Sequence, residues 1–258
     1  MTDLRAIDHV VVATRDLDAA AAGWEAAGFT LTPRAVHPEE MGTANRLIQF
    51  ADRSFIELIE VDRPTTLRGH DPAQRFFGFG AHNQTFLAQG EGMSMLVFTG
   101  QDSHADAEAF TLAGLDASVP FDFGRTAILP DGRAVEVAFS LAFATTPALP
   151  REAFFTCHNR FPENFWKPAF QTHANGAEGI AAVEIATGDP SGLCPQLEAL
   201  TGGVVETGGT PQKLPLANEQ WLEVGGATAS ATGFTALRLK RGAGEAPPPF
   251  TLNGLRLV

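Results

Sequence analysis

The sequence contains no tyrosine and has two cysteines, Cys157 and Cys194. Without a tyrosine hydroxyl, any general acid or base must come from histidine, a carboxylate, lysine, cysteine or metal-bound water. The two cysteines lack the CxxC spacing, and their small number favours two reduced thiols in a cytoplasmic protein over a disulfide framework.

Basic residues are also scarce, because 18 Lys and Arg stand against 30 Asp and Glu and give a net charge of −12. Nucleic acids and anionic membranes both require a basic face, so we expect neither as a partner. No apolar run approaches the roughly 20 residues of a membrane-spanning helix. The first residues, MTDLRAID, lack the basic and apolar regions of a secretion signal, so a cytoplasmic location is expected.

Several catalytic motifs are missing too: there is no GxSxG, phosphate loop, HExxH or Rossmann glycine pattern. The 258 residues, 44% of them hydrophobic and 19% charged, are typical of a soluble globular protein with one large domain or two to three small units. The twenty phenylalanines fit ordinary core packing or, alternatively, an apolar binding cavity.

Residues 7–61 hold the clearest pattern in the chain. The β-branched run Ile7–Ala13 predicts a buried strand. Apolar residues then recur at helical spacing, with Thr14 or Asp16 as the N-cap of the helix. The order β-α-β-β-β is predicted, because three further strand-like runs follow at 29–36, 45–51 and 54–61.

The turn between strand and helix recurs in VVVATRDLDAA, LVFTGQDSHADA and VEIATGDPSG. Each copy places a threonine before an aspartate, and the threonines are spaced by roughly 85–88 residues, the length of a whole module. We therefore predict an α+β protein with three βαβββ modules. The expected boundaries are 1–61 for module one, 62–91 for a connector, 92–176 for module two and 177–258 for a third, degenerate module.

The segments IDHVVVATRDLDAAAAGWEAAGF and HPEEMGTANRLIQFADRSFIELIEV resemble the vicinal-oxygen-chelate superfamily and, within it, the glyoxalase-like domain proteins. The resemblance implies paired modules that form curved mixed sheets around a cleft. It also implies a divalent metal ion in that cleft (Fe, Mn, Zn, Ni or Co) and a small-molecule substrate. Members include glyoxalases, epimerases, thiol transferases, extradiol dioxygenases and proteins that bind ligands without catalysis, so the reaction stays open.

The resemblance places two metal ligands in module one, His9 on the first strand and Glu57 on the last strand. Burying an ionised carboxylate among apolar neighbours costs several kcal/mol unless a partner compensates. A metal ion shared by His9 and Glu57 would meet that cost. In module three, Ala182 takes the position of His9, so that module is expected to be metal-free.

Module two departs from the family's ligand pattern. Its first-strand position falls on Ser94 or Met95, which are poor ligands for a hard divalent ion. Its last-strand position falls on His158 or on Cys157, which face opposite sides of the strand, and His158 is preferred. With His9 and Glu57, this gives two histidines and one carboxylate with open positions for a chelating substrate.

Further site residues are expected from the same resemblance. His37 begins a loop near the expected cleft and is a candidate acid, base or metal ligand, or else a surface histidine. Glu57 and His37 are the candidate catalytic residues. Asn45 and Arg46 belong to the GTANR motif, and residues 158–173 form a lid, a pocket wall or packing for module three. The candidate substrate-binding residues are Asn45, Arg46, Arg125 and Trp166.

Three functions remain open. The first is a metal-dependent lyase or isomerase of the glyoxalase type, in which the metal acts on paired substrate oxygens. The second is an extradiol-type dioxygenase with a two-His, one-carboxylate Fe(II) site, and the third is a non-catalytic small-molecule binding protein. The odd number of modules leaves an open sheet edge, which predicts a homodimer through module three.

Overall fold

The computed structural model of the protein describes residues 4–128, 132–206, 208–228, 232–242 and 248–258. Its helices are α1 (Leu17–Ala26), α2 (Phe79–Leu87), α3 (Ser103–Leu112), α4 (Pro162–Phe165) and α5 (Pro190–Thr201). Its strands are β1 (Ile7–Ala13), β2 (Ala35–Val36), β3 (Thr43–Gln49), β4 (Phe55–Val61), β5 (Gly92–Thr99), β6 (Asp116–Ala117), β7 (Phe121–Ile128), β8 (Ala134–Thr146), β9 (Leu149–Asn159), β10 (Ala177–Thr187), β11 (Gln212–Pro215), β12 (Trp221–Gly226), β13 (Gly233–Arg241), β14 (Phe250–Leu252) and β15 (Leu255–Leu257). Among the described residues, no helix is long and apolar enough to cross a membrane.

Modules one and two share one sheet, which holds nine strands in the described part of the chain. The order is β2-β3-β4-β1-β5-β9-β8-β6, with β7 paired to β8. Within each module the first and last strands are parallel neighbours, β1 with β4 and β5 with β9. The modules meet where β1 and β5 pair antiparallel. The predicted α+β class with repeated modules and mixed sheets is confirmed.

The second sheet repeats this pairing scheme. Over the described residues its order is β11-β12-β10-β13-β15-β14. Strand β10 is parallel to β12 and antiparallel to β13, and β13 is parallel to β15. Strands β13 to β15 therefore take the positions of a further, shortened module beside the third one. Strand β10 is paired on both sides within the chain, by β12 and by β13. The homodimer through module three stays a prediction.

The predicted strand at 29–36 is reduced to β2, Ala35–Val36. Pro33 interrupts this run, because proline has no backbone N–H to donate to the ladder. Thr32 still follows the neighbouring strand: its N–H donates to the carbonyl of Leu47, and its hydroxyl accepts the N–H of Leu47. The segment therefore runs beside β3 without being a full strand.

The first sheet has two different faces. Alternate residues of β1 and β4 (Val10, Val12, Ile56 and Leu58) point to the back face, where they pack with helices α1, α3 and α5 and with the second sheet. The opposite face carries a separate apolar cluster that includes Val11, Ile59, Phe79, Phe143 and Phe155. Because side chains alternate along a strand, His9 and Glu57 belong to this front face.

Helix α2 covers part of the front face and carries His82, which is half-buried. Its ring lies 5.2 Å from that of Phe77, and among the described residues its Nε2 has no hydrogen-bond partner. Burial lowers the pKa of His82 to about 4 from its ordinary value of 6.5, while the backbone of Ser94 opposes the decrease and His70 adds to it. The folded protein therefore keeps this imidazole neutral under conditions in which the unfolded chain protonates it.

We expect acid to destabilise the protein partly through His82. As the pH falls from 6.5 to about 4, the unfolded chain binds a proton that the folded protein does not. The free energy of unfolding should fall through this window by roughly 2–3 kcal/mol from this residue. His82→Gln should flatten that part of the pH dependence, which urea unfolding at several pH values measures. Identical slopes for both proteins would contradict this role.

Candidate functional site

The front face of the first sheet contains a cavity of about 970 Å³. Its floor is formed by β1, β4, β8 and β9, and its rim by the segment before His37 and by residues 164–170. Seven of the twenty phenylalanines line it among the described residues: Phe55, Phe79, Phe123, Phe139, Phe155, Phe165 and Phe170. The cavity is therefore a mainly apolar container with a small polar area.

The polar area comes from three neighbouring strand positions. His9 on β1, Asn45 on β3 and Glu57 on β4 all line the cavity, and their exposed fractions are 4%, 8% and 6%. Glu57 lies opposite Val11 in the β1–β4 register and opposite Leu47 in the β3–β4 register. The alternation of the three strands thus brings an imidazole, an amide and a carboxylate to one point.

Glu57 is the centre of a hydrogen-bond network. The amide of Asn45 donates to Oε1 of Glu57 at 2.6 Å, and Nε2 of His37 lies 3.3 Å from the same oxygen. Nε2 of His9 lies 3.7 Å from Oε2, beyond hydrogen-bond distance. Oε2 is therefore the less engaged oxygen of the carboxylate.

Each imidazole is oriented by a second partner. Nδ1 of His9 lies 2.6 Å from Oδ1 of Asp8, and Nδ1 of His37 lies 2.8 Å from the hydroxyl of Thr43. The ring of His9 also stacks on Phe55, with centroids 4.1 Å apart. In both rings these contacts leave Nε2 directed at Glu57.

The environment keeps Glu57 ionised. Burial by itself raises the pKa of this carboxyl group, but the hydrogen bond with His37, the charges of His37 and His9 and the hydrogen bond from Asn45 outweigh it. The pKa of Glu57 therefore lies below its ordinary value of 4.5. A carboxylate that is buried, ionised and unprotonated at neutral pH can act as a base.

The loop that carries His37 is held from two sides. The guanidinium of Arg63 donates to the carbonyls of His37 and Thr43, at 3.1 and 2.8 Å. On the other side, a side chain at Gly80 of α2 would overlap the carbonyl oxygen of Met41. This close approach of helix and loop requires glycine and fixes the position of His37.

The structure does not bring His158 to this site. Its predecessor on β9, Cys157, lines the cavity, so His158 faces the other side of the sheet, at the position that pairs with Ser140. Burial and the negative charges of Asp8 and Glu57 raise the pKa of the Cys157 thiol well above its ordinary value. A protonated thiol is a poor metal ligand.

The divalent metal implied by the resemblance does not fit this donor set. His9 and Glu57 come together as expected, but the third ligand is missing because of the register of β9. Of the two candidate positions in module two, neither Ser94 nor Met95 lines the cavity, and the hydroxyl of Ser94 donates to the Asn83 side chain at 2.7 Å. Among the described residues, no group of three His, Cys, Asp or Glu side chains is placed to hold a metal ion.

The other expected residues lie in different places. Arg46 points to the back face, where its guanidinium lies 3.2 Å from Asp18 on α1. Trp166 lies behind the cavity wall, with its ring 5.9 Å from that of Phe55. Arg125 belongs to β7, and its side chain lies outside the described residues. Of the four expected substrate-binding residues, Asn45 is the one seen in the cavity.

Sequence reasoning missed Asp8 and Lys167. A register irregularity between Ile7 and His9 lets Asp8 reach its neighbour's ring, which a regular strand would not predict. Lys167 belongs to the segment 158–173, for which a lid, a pocket wall or packing for module three is predicted, and residues 164, 165 and 167–170 line the cavity. Neither residue has a recognisable motif.

Comparisons with known proteins fit this architecture. The model of a family described as "Glyoxalase-like domain" matches residues 7–201. A crystal structure of a hypothetical protein from Staphylococcus aureus is 13% identical, with a TM-score of 0.77 over 98% of both chains. This likeness concerns the fold. A search of the curated proteins gives no match.

Two enzymes are more distantly similar. Methylmalonyl-CoA epimerase from Streptomyces coelicolor, in complex with 2-nitronate-propionyl-CoA, is 20% identical, with a TM-score of 0.41 over 61% of this chain and 96% of the epimerase. A mutant of 4-hydroxymandelate synthase from the same organism is 12% identical, with a TM-score of 0.48 over 92% of this chain and 71% of the synthase. At these scores the likeness carries no argument about the reaction.

Proposed function

The chain belongs to the glyoxalase-like domain family of the vicinal-oxygen-chelate superfamily, and on this premise we propose that it is an enzyme that moves a proton on a small molecule. The substrate is partly apolar and carries two neighbouring oxygens, and the reaction is that of an isomerase or lyase. One observation carries the proposal: the ionised carboxylate of Glu57 lies between two imidazoles on the floor of an apolar cavity.

Each side chain has a defined part in this reaction. Oε2 of Glu57 takes a proton from the carbon next to the substrate carbonyl, since Oε1 is engaged by Asn45 and His37. The Nε2–H of His9, which lies 3.7 Å from Oε2 and is not engaged by it, donates to the carbonyl oxygen on which negative charge develops. Return of the proton to the former carbonyl carbon, with transfer of the substrate's hydroxyl proton between its two oxygens, completes an isomerisation. If the carbon on the far side of the deprotonated carbon carries a leaving group, the carbonyl re-forms and that group leaves with its bonding electrons, which completes an elimination.

The test is exchange of carbon-bound hydrogen in deuterated water. The probes are aromatic compounds with neighbouring oxygens, namely 2-hydroxyacetophenone and related 2-hydroxy ketones, and proton NMR follows the signal next to the carbonyl. We expect the protein to accelerate the loss of that signal, and we expect the acceleration to persist in the presence of a chelator.

The other outcomes select other functions. Exchange that appears only after addition of Mn²⁺, Zn²⁺ or Fe²⁺ would restore the metal-dependent reaction. Oxygen uptake on catechols with Fe²⁺ would favour the dioxygenase. Binding of the ketones without any exchange would favour the non-catalytic binding protein, which the incomplete metal donor set also favours.

A further inference from the structure

We infer that the cavity accepts an organic monoanion, a carboxylate on an apolar body, and that Lys167 at the rim determines this preference. The inference deepens the proposed function because it concerns the same cavity, and it names the charge class of the ligand. It depends on binding alone and not on proton transfer at Glu57.

The cationic side chains that line the cavity differ in their ion-pair partners. Besides the two histidines, the cationic side chains in the lining are Arg34 and Lys167. Arg34 is engaged by Glu60 and lies 3.3 Å from Asp62. In the described part of the chain, Lys167 forms no ion pair.

The lack of an ion pair at Lys167 among the described residues is unusual in a chain that has three lysines and a net charge of −12. The ammonium of Lys240 lies 3.1 Å from Asp52, and that of Lys213 lies 4.7 Å from the ring centre of Trp221. Acidic side chains are abundant in this protein, and yet Lys167 lines an apolar cavity without an acidic partner among the described residues. An anion supplied by a ligand would complete the pairing.

The backbone around Lys167 is held to the sheet. The side chain of Gln49 on β3 donates to the carbonyl of Phe165 at 3.1 Å and accepts the N–H of Lys167 at 3.2 Å. Lys167 is half-buried, and the next residues, Pro168 and Ala169, are exposed. The segment that carries Lys167 is thus fixed at the rim of the cavity.

Electrostatics then orients the ligand. Lys167 lies at the rim and the carboxyl group of Glu57 at the buried floor, so a ligand's anionic group pairs with Lys167 and is kept away from Glu57. The apolar body packs on the phenylalanine walls, and the uncharged reacting end reaches Glu57. One lysine balances one charge, which favours a carboxylate over a phosphate dianion. A cavity of about 970 Å³ has room for a ligand of this kind.

The experiment compares two probes of the same shape, 4-phenylbutanoate and 4-phenylbutanamide, by isothermal titration calorimetry. We expect the wild-type protein to bind the acid about tenfold more tightly than the amide. Added salt should weaken the binding of the acid and leave the binding of the amide unchanged. Lys167→Met, which keeps the aliphatic stem, should remove the preference without weakening the amide. Lys213→Met, on the second sheet, is the matched control and should keep it.

Three results would overturn the inference: equal binding of acid and amide to the wild type, an unchanged preference in Lys167→Met, or binding of neither probe at millimolar concentration. Circular dichroism and thermal unfolding of Lys167→Met establish that the variant is folded. If Lys167→Met loses the preference for the acid over the amide but the wild-type protein shows no proton exchange, the proposed reaction is wrong and the proposed ligand class is retained.

Discussion

Glu57→Gln is expected to slow proton exchange by about 10²- to 10⁴-fold, which is the usual contribution of a general base. Glutamine keeps the shape of the side chain and its hydrogen bond with Asn45, but its amide cannot accept a proton from carbon. Because the pKa of Glu57 lies below its ordinary value, the wild-type base stays ionised down to mildly acidic pH. The NMR exchange rate of the two proteins, measured near neutral pH, checks this prediction.

Glu60→Gln is the matched control, because Glu60 lies on the same strand but on the opposite face. Its carboxylate accepts the N–H of Leu17 at 2.8 Å and pairs with Arg34. We expect a small loss of stability and little change in exchange rate. An exchange rate in Glu57→Gln equal to that of the wild type would remove the base from the mechanism, although the cavity would remain a binding site.

Trp24→Ala is expected to lower the free energy of unfolding by about 3–5 kcal/mol, the range found for large aromatic side chains in protein cores. The side chain is fully buried on α1, and its ring lies 5.1 Å from that of Phe29. Its Nε1 donates to Oδ1 of Asn253 at 2.9 Å. Alanine would leave a cavity and an unpaired amide oxygen.

The same contact joins distant parts of the chain. Asn253 lies in the turn between β14 and β15, and its amide donates to Glu91 at 3.0 Å. The loss at Trp24 should therefore loosen the C-terminal strands from module one. For a protein of this size we expect the midpoint of thermal unfolding to fall by about 10 °C.

Two further variants separate the contribution of packing at Trp24 from that of its hydrogen bond and compare it with another tryptophan. Trp24→Phe keeps most of the packing and loses the hydrogen bond, so it should cost less than Trp24→Ala. Trp221→Ala removes a half-buried ring from β12 and should cost less again. A loss for Trp24→Ala no larger than that for Trp221→Ala would show that α1 does not anchor the second sheet.

Helix capping explains the turn that recurs three times in the sequence. The aspartates of the three similar turns, Asp16, Asp102 and Asp189, are the N-caps of α1, α3 and α5, and each carboxylate accepts backbone N–H groups of the first turn. Local hydrogen bonds of this kind depend on neighbouring residues alone. The start of each helix and the modular order were therefore predictable.

Strand pairing was predictable only in part. The strand 29–36 was expected from its apolar residues, but a proline within it left two residues of ladder. Strand β13 lies within the range 177–258 that was expected to form one module, and it pairs with β10 in the position that β5 has beside β1. Pairing partners lie far apart in sequence, so no local pattern specifies them.

The candidate site was likewise predictable only in part. The family resemblance pointed to His9, Asn45 and Glu57 as site residues, and the three side chains do line one cavity. On β9, one step of register decided between His158 and Cys157, and the cavity received Cys157. A shift by one residue exchanges the two faces of a strand.

The sequence by itself determined the fold class, the repeated strand–helix turns and the family, because these follow from periodicity, capping and a conspicuous N-terminal segment. Only the tertiary structure decided that His37 and Asn45 converge on Glu57 and that Lys167 reaches the rim. Those residues come from separate loops and strands. Their distances depend on how the sheet curves and how the connecting segments pack across it, which no single stretch of the chain encodes.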